Sequence, residues 1–172
     1  MISSINKETL YEQFNTREPQ IEDVISKYLT AKNVKESLLC FITWLKTSGI
    51  SPQYVDFEGQ SPLWEIKYNE KVYYVVMNSV NNVCIMVKIS FTEEYQNIMR
   101  ENNLHDVILN DLQHCTRKDG GHCNNCHLPP DVAGVDEMIF GKEVKNLCCG
   151  QFITFENPSS EAIEGIKKLL KL

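Results

Sequence analysis

The chain has 172 residues, 42% of them apolar and 23% charged, a globular composition that argues against a disordered or fibrous protein. Seventeen Lys and Arg against twenty-three Asp and Glu leave a net charge of -6, which disfavours a nucleic-acid binder that tracks phosphates with a basic face. The longest apolar runs, Val72 to Met77 and Val83 to Val87, fall far short of the roughly 20 residues a membrane span needs.

At this length a single domain is expected, large enough to bury a core without staples. The opening Met-Ile-Ser-Ser-Ile-Asn-Lys-Glu has neither a basic n-region nor an apolar h-region, so a cytoplasmic location is expected. Residues 6 to 16 and 19 to 31 are periodic, with Ile21, Val24, Ile25 and Tyr28 at helical spacing. Asn33 with Glu36 three residues on fits a capping box that opens a third helix. Its apolar stripe is Val34, Leu38, Phe41, Ile42 and Leu45, and Gly49 stands where a C-terminal cap belongs. Cys40 and Trp44 lie just off the stripe and read as core residues.

From about residue 62 the period changes to two. Trp64, Ile66 and Tyr68 alternate with Glu65 and Lys67, Asn69 to Lys71 turn the chain into Val72 to Met77, and Asn78 to Asn82 turn it again. Val83, Ile85, Val87, Ile89 and Phe91 then share one face, with Cys84, Met86, Lys88 and Ser90 on the other. This spacing predicts a three-stranded antiparallel meander over 62–91. Thr92 caps a helix to about Asn102, and residues 103 to 114 continue as helix or turn. Residues 115 to 136 have almost no hydrophobic period, and so long a structureless stretch needs something to hold it. Met138 onward predicts a hairpin through Gly141, with its second strand running from Val144 to Phe155. Pro158-Ser159-Ser160 opens a final helix over 159–172, docked by Ile163, Ile166, Leu169 and Leu170. Helices, meander, helix, hairpin and helix make an α+β fold, with helices on one face of an antiparallel sheet.

The stretch from about Lys35 to Arg100 places a helix before a meander with an aromatic near its start, Trp64 in Leu63-Trp64-Glu65-Ile66-Lys67-Tyr68. In this it resembles the small uncharacterised bacterial α+β domains of the YdhG/YjbR-like kind. That resemblance implies the fold alone and carries no activity with it.

The chemical signal lies elsewhere. Five of the seven cysteines fall between 115 and 149, in His114-Cys115, His122-Cys123-Asn124-Asn125-Cys126-His127 and Cys148-Cys149. A CxxC pair reaches one tetrahedral ion from a tight turn, and four ligands complete a structural zinc site. The expected ligands are Cys115, Cys123, Cys126 and Cys148, clamping the patternless segment to the adjoining strand. Along one continuous strand Cys149 shares the core parity of Leu147, Ile153 and Phe155, which leaves Cys148 as the ligand unless Gly150 marks a bulge. Cys123 to His127 also fits C-x-x-C-H for covalent haem, but haem leaves Cys115, Cys148 and Cys149 without a role. An iron–sulfur cluster would use the same thiolates, though ferredoxin spacings are absent. No G-x-S-x-G, H-E-x-x-H or P-loop motif is present, so no catalytic residue is assigned.

The leading expectation is a small zinc-binding module with a structural ion. One alternative is an enzyme or redox or metal sensor, with an open metal position or reactive thiol at Cys148/Cys149. Another is a small-ligand-binding domain in which Trp44, Trp64, Tyr68, Tyr73 and Tyr74 line an aromatic pocket. No nucleic-acid or membrane partner is expected, and no small-molecule or protein partner is identified.

Overall fold

A computed structural model of the chain describes Glu12 and residues 18–55, 61–69, 71–88, 92–106, 108–109, 135–147 and 152–171. The fold is α+β. In chain order its elements are α1 (Ile21–Tyr28), α2 (Lys32–Thr47), β1 (Gln53–Val55), β2 (Leu63–Tyr68), β3 (Lys71–Ser79), β4 (Asn82–Lys88), α3 (Glu93–Glu101), β5 (Val135–Ile139), β6 (Lys142–Leu147), β7 (Phe152–Glu156) and α4 (Ser160–Lys171). Strands β1-β2-β3-β4-β7 form one antiparallel sheet in that order, and β5-β6 form a separate hairpin. The chain divides into two compact units, residues 1–87 with 154–171, and residues 88–153.

In the first unit the predicted meander is present with the predicted faces. Trp64 stands opposite Val75, and Val75 opposite Ile85; Ile66 stands opposite Tyr73, and Tyr73 opposite Val87. All six are buried, because alternation puts each on the same side of the pleat. Ile89, Ser90 and Phe91, expected to prolong β4, lie outside the described residues. The helices supply matching stripes: Ile21, Val24 and Ile25 from α1, Leu38, Phe41, Ile42 and Leu45 from α2, and Ile163, Ile166, Leu169 and Leu170 from α4. Helix α2 packs against both α1 and α4.

Three expectations need correction, and one strand was not expected. Helix α2 starts at Lys32 with Ala31 as an N-cap that offers no side chain, so the Asn33–Glu36 capping box does not form. The earlier start places Lys32 one turn before Glu36, which pairs with it at 3.8 Å instead. Cys40 is exposed rather than core. It stands two residues from both Leu38 and Ile42, about 200° round the helix from each. The strand expected from Val144 to Phe155 is two strands in different sheets, β6 ending at Leu147 and β7 starting at Phe152. Finally, β1 was not legible: three residues after Pro52 are too few to show a period, yet they pair with β2 from Gln53–Glu65 to Val55–Leu63.

The end of α2 follows the glycine signal. Gly49 has φ 78°, its N–H donates to the Lys46 carbonyl at 3.0 Å, and the Ile50 N–H donates to the Leu45 carbonyl at 2.9 Å. These two bonds with the buried Leu45 and Ile50 make a Schellman cap.

The second unit is built on α3 and the hairpin. Thr92 caps α3 as predicted, its side chain accepting from the Tyr95 N–H at 3.4 Å. The helix closes with another Schellman pair, Asn103 N–H to Arg100 carbonyl at 3.2 Å and Leu104 N–H to Met99 carbonyl at 2.8 Å. Here Asn103, at φ 55°, takes the place of glycine.

A Cβ at Gly49 would meet nothing within 4 Å, so Gly49→Ala changes only backbone strain. The substitution should cost about 1 kcal/mol. It should appear as a lower urea midpoint at unchanged slope. An unmoved midpoint would mean that the helix end relaxes out of the left-handed conformation.

Candidate functional site

The four expected ligands, Cys115, Cys123, Cys126 and Cys148, lie outside the described residues, as do Cys149, His114, His122 and His127. Among the described residues no group of three or more His, Cys, Asp or Glu side chains gathers to hold a metal. The described residues do define where this chemistry joins the fold. Val135, at the start of β5, pairs with Leu147, at the end of β6. The chain bearing Cys115 to Cys126 enters the hairpin at Val135, and Cys148 follows Leu147 directly. Both cysteine-bearing stretches are thus tied covalently to the open end of one hairpin, whose strands lie about 5 Å apart.

The choice of Cys148 over Cys149 rests on residues 148–151, which lie outside the described residues; β6, described to Leu147, and β7, described from Phe152, belong to different sheets. His105, the one histidine among the described residues, packs edge-on to Phe140 at 6.1 Å and lies 3.5 Å from Asp106.

The proposed aromatic pocket does not form as one site. Trp64 and Tyr73 are buried in the core, at 2% and 0% exposure. Tyr74 follows Tyr73 directly in β3 and so takes the opposite face, opposite Glu65 and Met86. Trp44, on α2, stacks with Phe41 at 6.1 Å and carries the ammonium groups of Lys167 and Lys171 over its ring at 5.7 and 5.6 Å. Tyr68 is half-buried at the end of β2.

Two cavities were not anticipated. One, of about 230 Å³, lies beside the start of α1 and is lined by Glu18, Lys46, Gln53, Tyr54 and Trp64, among others. Its back wall is rigid: the Trp64 Nε1–H donates to the Pro19 carbonyl at 3.0 Å, and Tyr54 meets the indole edge-on at 5.6 Å. Lys46 at its mouth is already paired with Glu22. The other, of about 410 Å³, is a groove between α2 and α4 lined by Ser37, Cys40, Ile163 and Lys167 with their neighbours. The first depends on β1, which the periodicity does not predict; the second runs beside the apolar stripe of α2, which it does.

On the reverse face of the large sheet, Glu65, Lys67 and Tyr74 form a polar cluster. Lys67 Nζ lies 2.5 Å from Glu65 Oε2, and this hydrogen bond, with the carboxylate's charge, holds Lys67 above the ordinary ammonium range. Burial pushes the Tyr74 phenol up, and the Glu65 charge adds to it. Burial alone raises Tyr28. No catalytic geometry accompanies the cluster among the described residues.

The chain matches no protein-family model, no curated protein and no solved structure. No helix among the described residues is long and apolar enough to cross a membrane.

Tyr74 should therefore ionise above the phenol range in the folded protein. Its contribution to stability is complete below the unfolded value of about 10 and is lost as pH rises through the folded one. Glu65→Gln should bring the folded value part of the way down, because burial, the larger cause, remains. Tyrosinate absorbance against pH measures both; identical curves for the two proteins would remove Glu65 as a cause.

Proposed function

We propose that the protein is a small zinc-binding α+β module in which the ion is structural, held by Cys115, Cys123, Cys126 and one of Cys148 and Cys149. The observation that carries the reading is the meeting of two cysteine-bearing stretches at one hairpin end, from Val135 and from Leu147. A two-stranded hairpin is marginal alone and needs a further constraint. Thiolate coordination would supply it, and would offset the entropy of ordering a segment with little to bury. Haem would use only Cys123, Cys126 and His127, and an iron–sulfur cluster lacks its usual spacing.

Protein purified without added metal should carry about one equivalent of zinc by elemental analysis, the load of one four-ligand site. Stripping it with a chelator should speed amide exchange across residues 110–147 and leave β2, β3 and β4 protected, since their core contains no proposed ligand. Well under half an equivalent of any transition metal, with the five thiols of residues 115–149 titratable in the folded protein, would sink the proposal. Bound zinc with unchanged exchange would instead favour the enzyme or sensor alternative, an open position at Cys148/Cys149.

A further inference from the structure

We infer that the β5–β6 hairpin is a strap: its tip is fastened to α3 by one glutamine and one aromatic ring, and it releases without unfolding of the five-stranded sheet. The inference rests on residues 92–105 and 135–147 and does not depend on the zinc reading.

Gln96 is the fastening. Its Oε1 accepts from the Phe140 N–H at 2.7 Å and its Nε2 donates to the Met138 carbonyl at 3.0 Å. One side-chain amide thus offers the hairpin the donor and acceptor that a neighbouring strand would offer. Phe140 sits at φ 50° and Gly141 at φ 79°, the left-handed pair of a type I′ turn between Ile139 and Lys142. Glycine accepts that conformation; a bulky side chain such as Phe140 is strained in it. What holds the ring there is the Arg100 guanidinium, 5.4 Å above its centroid, and the edge of His105. Closure therefore sets three side-chain contacts against a backbone preference for opening. The outer surface of the strap adds little: Met138 is 57% exposed, and Glu137, Lys142 and Glu143 are exposed with it. Strain at the tip and a sheet of only two strands are attributes of segments that open locally.

Native-state hydrogen exchange on the full chain, residue by residue, tests this. Amides of β5 and β6 should exchange at least about tenfold faster than those of β3 and β4, with a weaker dependence on denaturant. Gln96→Ala removes both bonds and should speed the hairpin amides by about another tenfold, leaving β3 and β4 within about twofold. Arg100→Met, which keeps the stem and removes the cation, should speed them by about threefold. Exchange of hairpin and sheet together, at one denaturant slope, would overturn the strap. So would hairpin rates that Gln96→Ala leaves unchanged, or a Gln96→Ala effect shared equally by β3 and β4.

Discussion

The row of side chains Trp64, Val75 and Ile85 across three adjacent strands is what the first unit is assembled around. Trp64 brings the largest of these surfaces into the core and then has to satisfy an indole N–H in a place without water. It does so on the Pro19 carbonyl, which fastens the chain just before α1 to the middle of the sheet. The position of α1 follows from that bond, α2 packs against α1, and α4 packs against α2. A single buried donor thus links the order of the helices to the register of the strands.

Asparagine closes the turns where glycine would be the simpler choice. Asn69, Asn81, Asn103 and Asn157 all have positive φ, and two of them use the side chain to build something glycine cannot. Asn81 accepts at Oδ1 from the Thr30 N–H at 2.7 Å and from its hydroxyl at 2.9 Å, tying the β3–β4 turn to the link between α1 and α2. Asn157 donates its N–H to the Val83 carbonyl at 2.8 Å and accepts from the Val83 N–H at 3.1 Å, so that β4 keeps a partner beyond the end of β7. The left-handed conformation costs asparagine less than other side chains, and the amide then returns tertiary hydrogen bonds. Phe140 is the exception, since its ring returns only contacts to Arg100 and His105.

The meander was legible because its strands write a period of two into the sequence, which Trp64 to Ile66, Tyr73 to Met77 and Val83 to Val87 follow on one buried face. Gly49 and Thr92 were legible because a helix end needs a particular residue type whatever surrounds it. Asn33 was misleading for the opposite reason. A capping box is a local preference, and the helix instead starts earlier, at Lys32 with Ala31 as N-cap. Alternation also says nothing about which sheet a strand joins, so β6 and β7 read as one. The cysteine spacing was the clearest chemical feature of the sequence, yet choosing between Cys148 and Cys149 required a strand running on from Leu147, and residues 148–151 lie outside the described residues.

The hairpin has two ends of unlike chemistry, and the difference decides how it behaves. At the tip, neutral amide hydrogen bonds from Gln96 act against a strained Phe140. Such bonds are each worth about 1 kcal/mol net, since water offers the same partners when they break. At the open end, Val135 and Leu147 lead into the cysteines. Under the zinc reading that end is closed by four thiolates, whose coordination at neutral pH is worth on the order of 10 kcal/mol. Water does not replace a thiolate on zinc as it replaces a glutamine on a carbonyl. The tip would then open many times for each opening at the cysteines, and the strap would swing from a fixed base. Thiolate ligation, under that reading, and a weak glutamine fastening would be complementary: the first would keep the segment in place, and the second would leave it free to move.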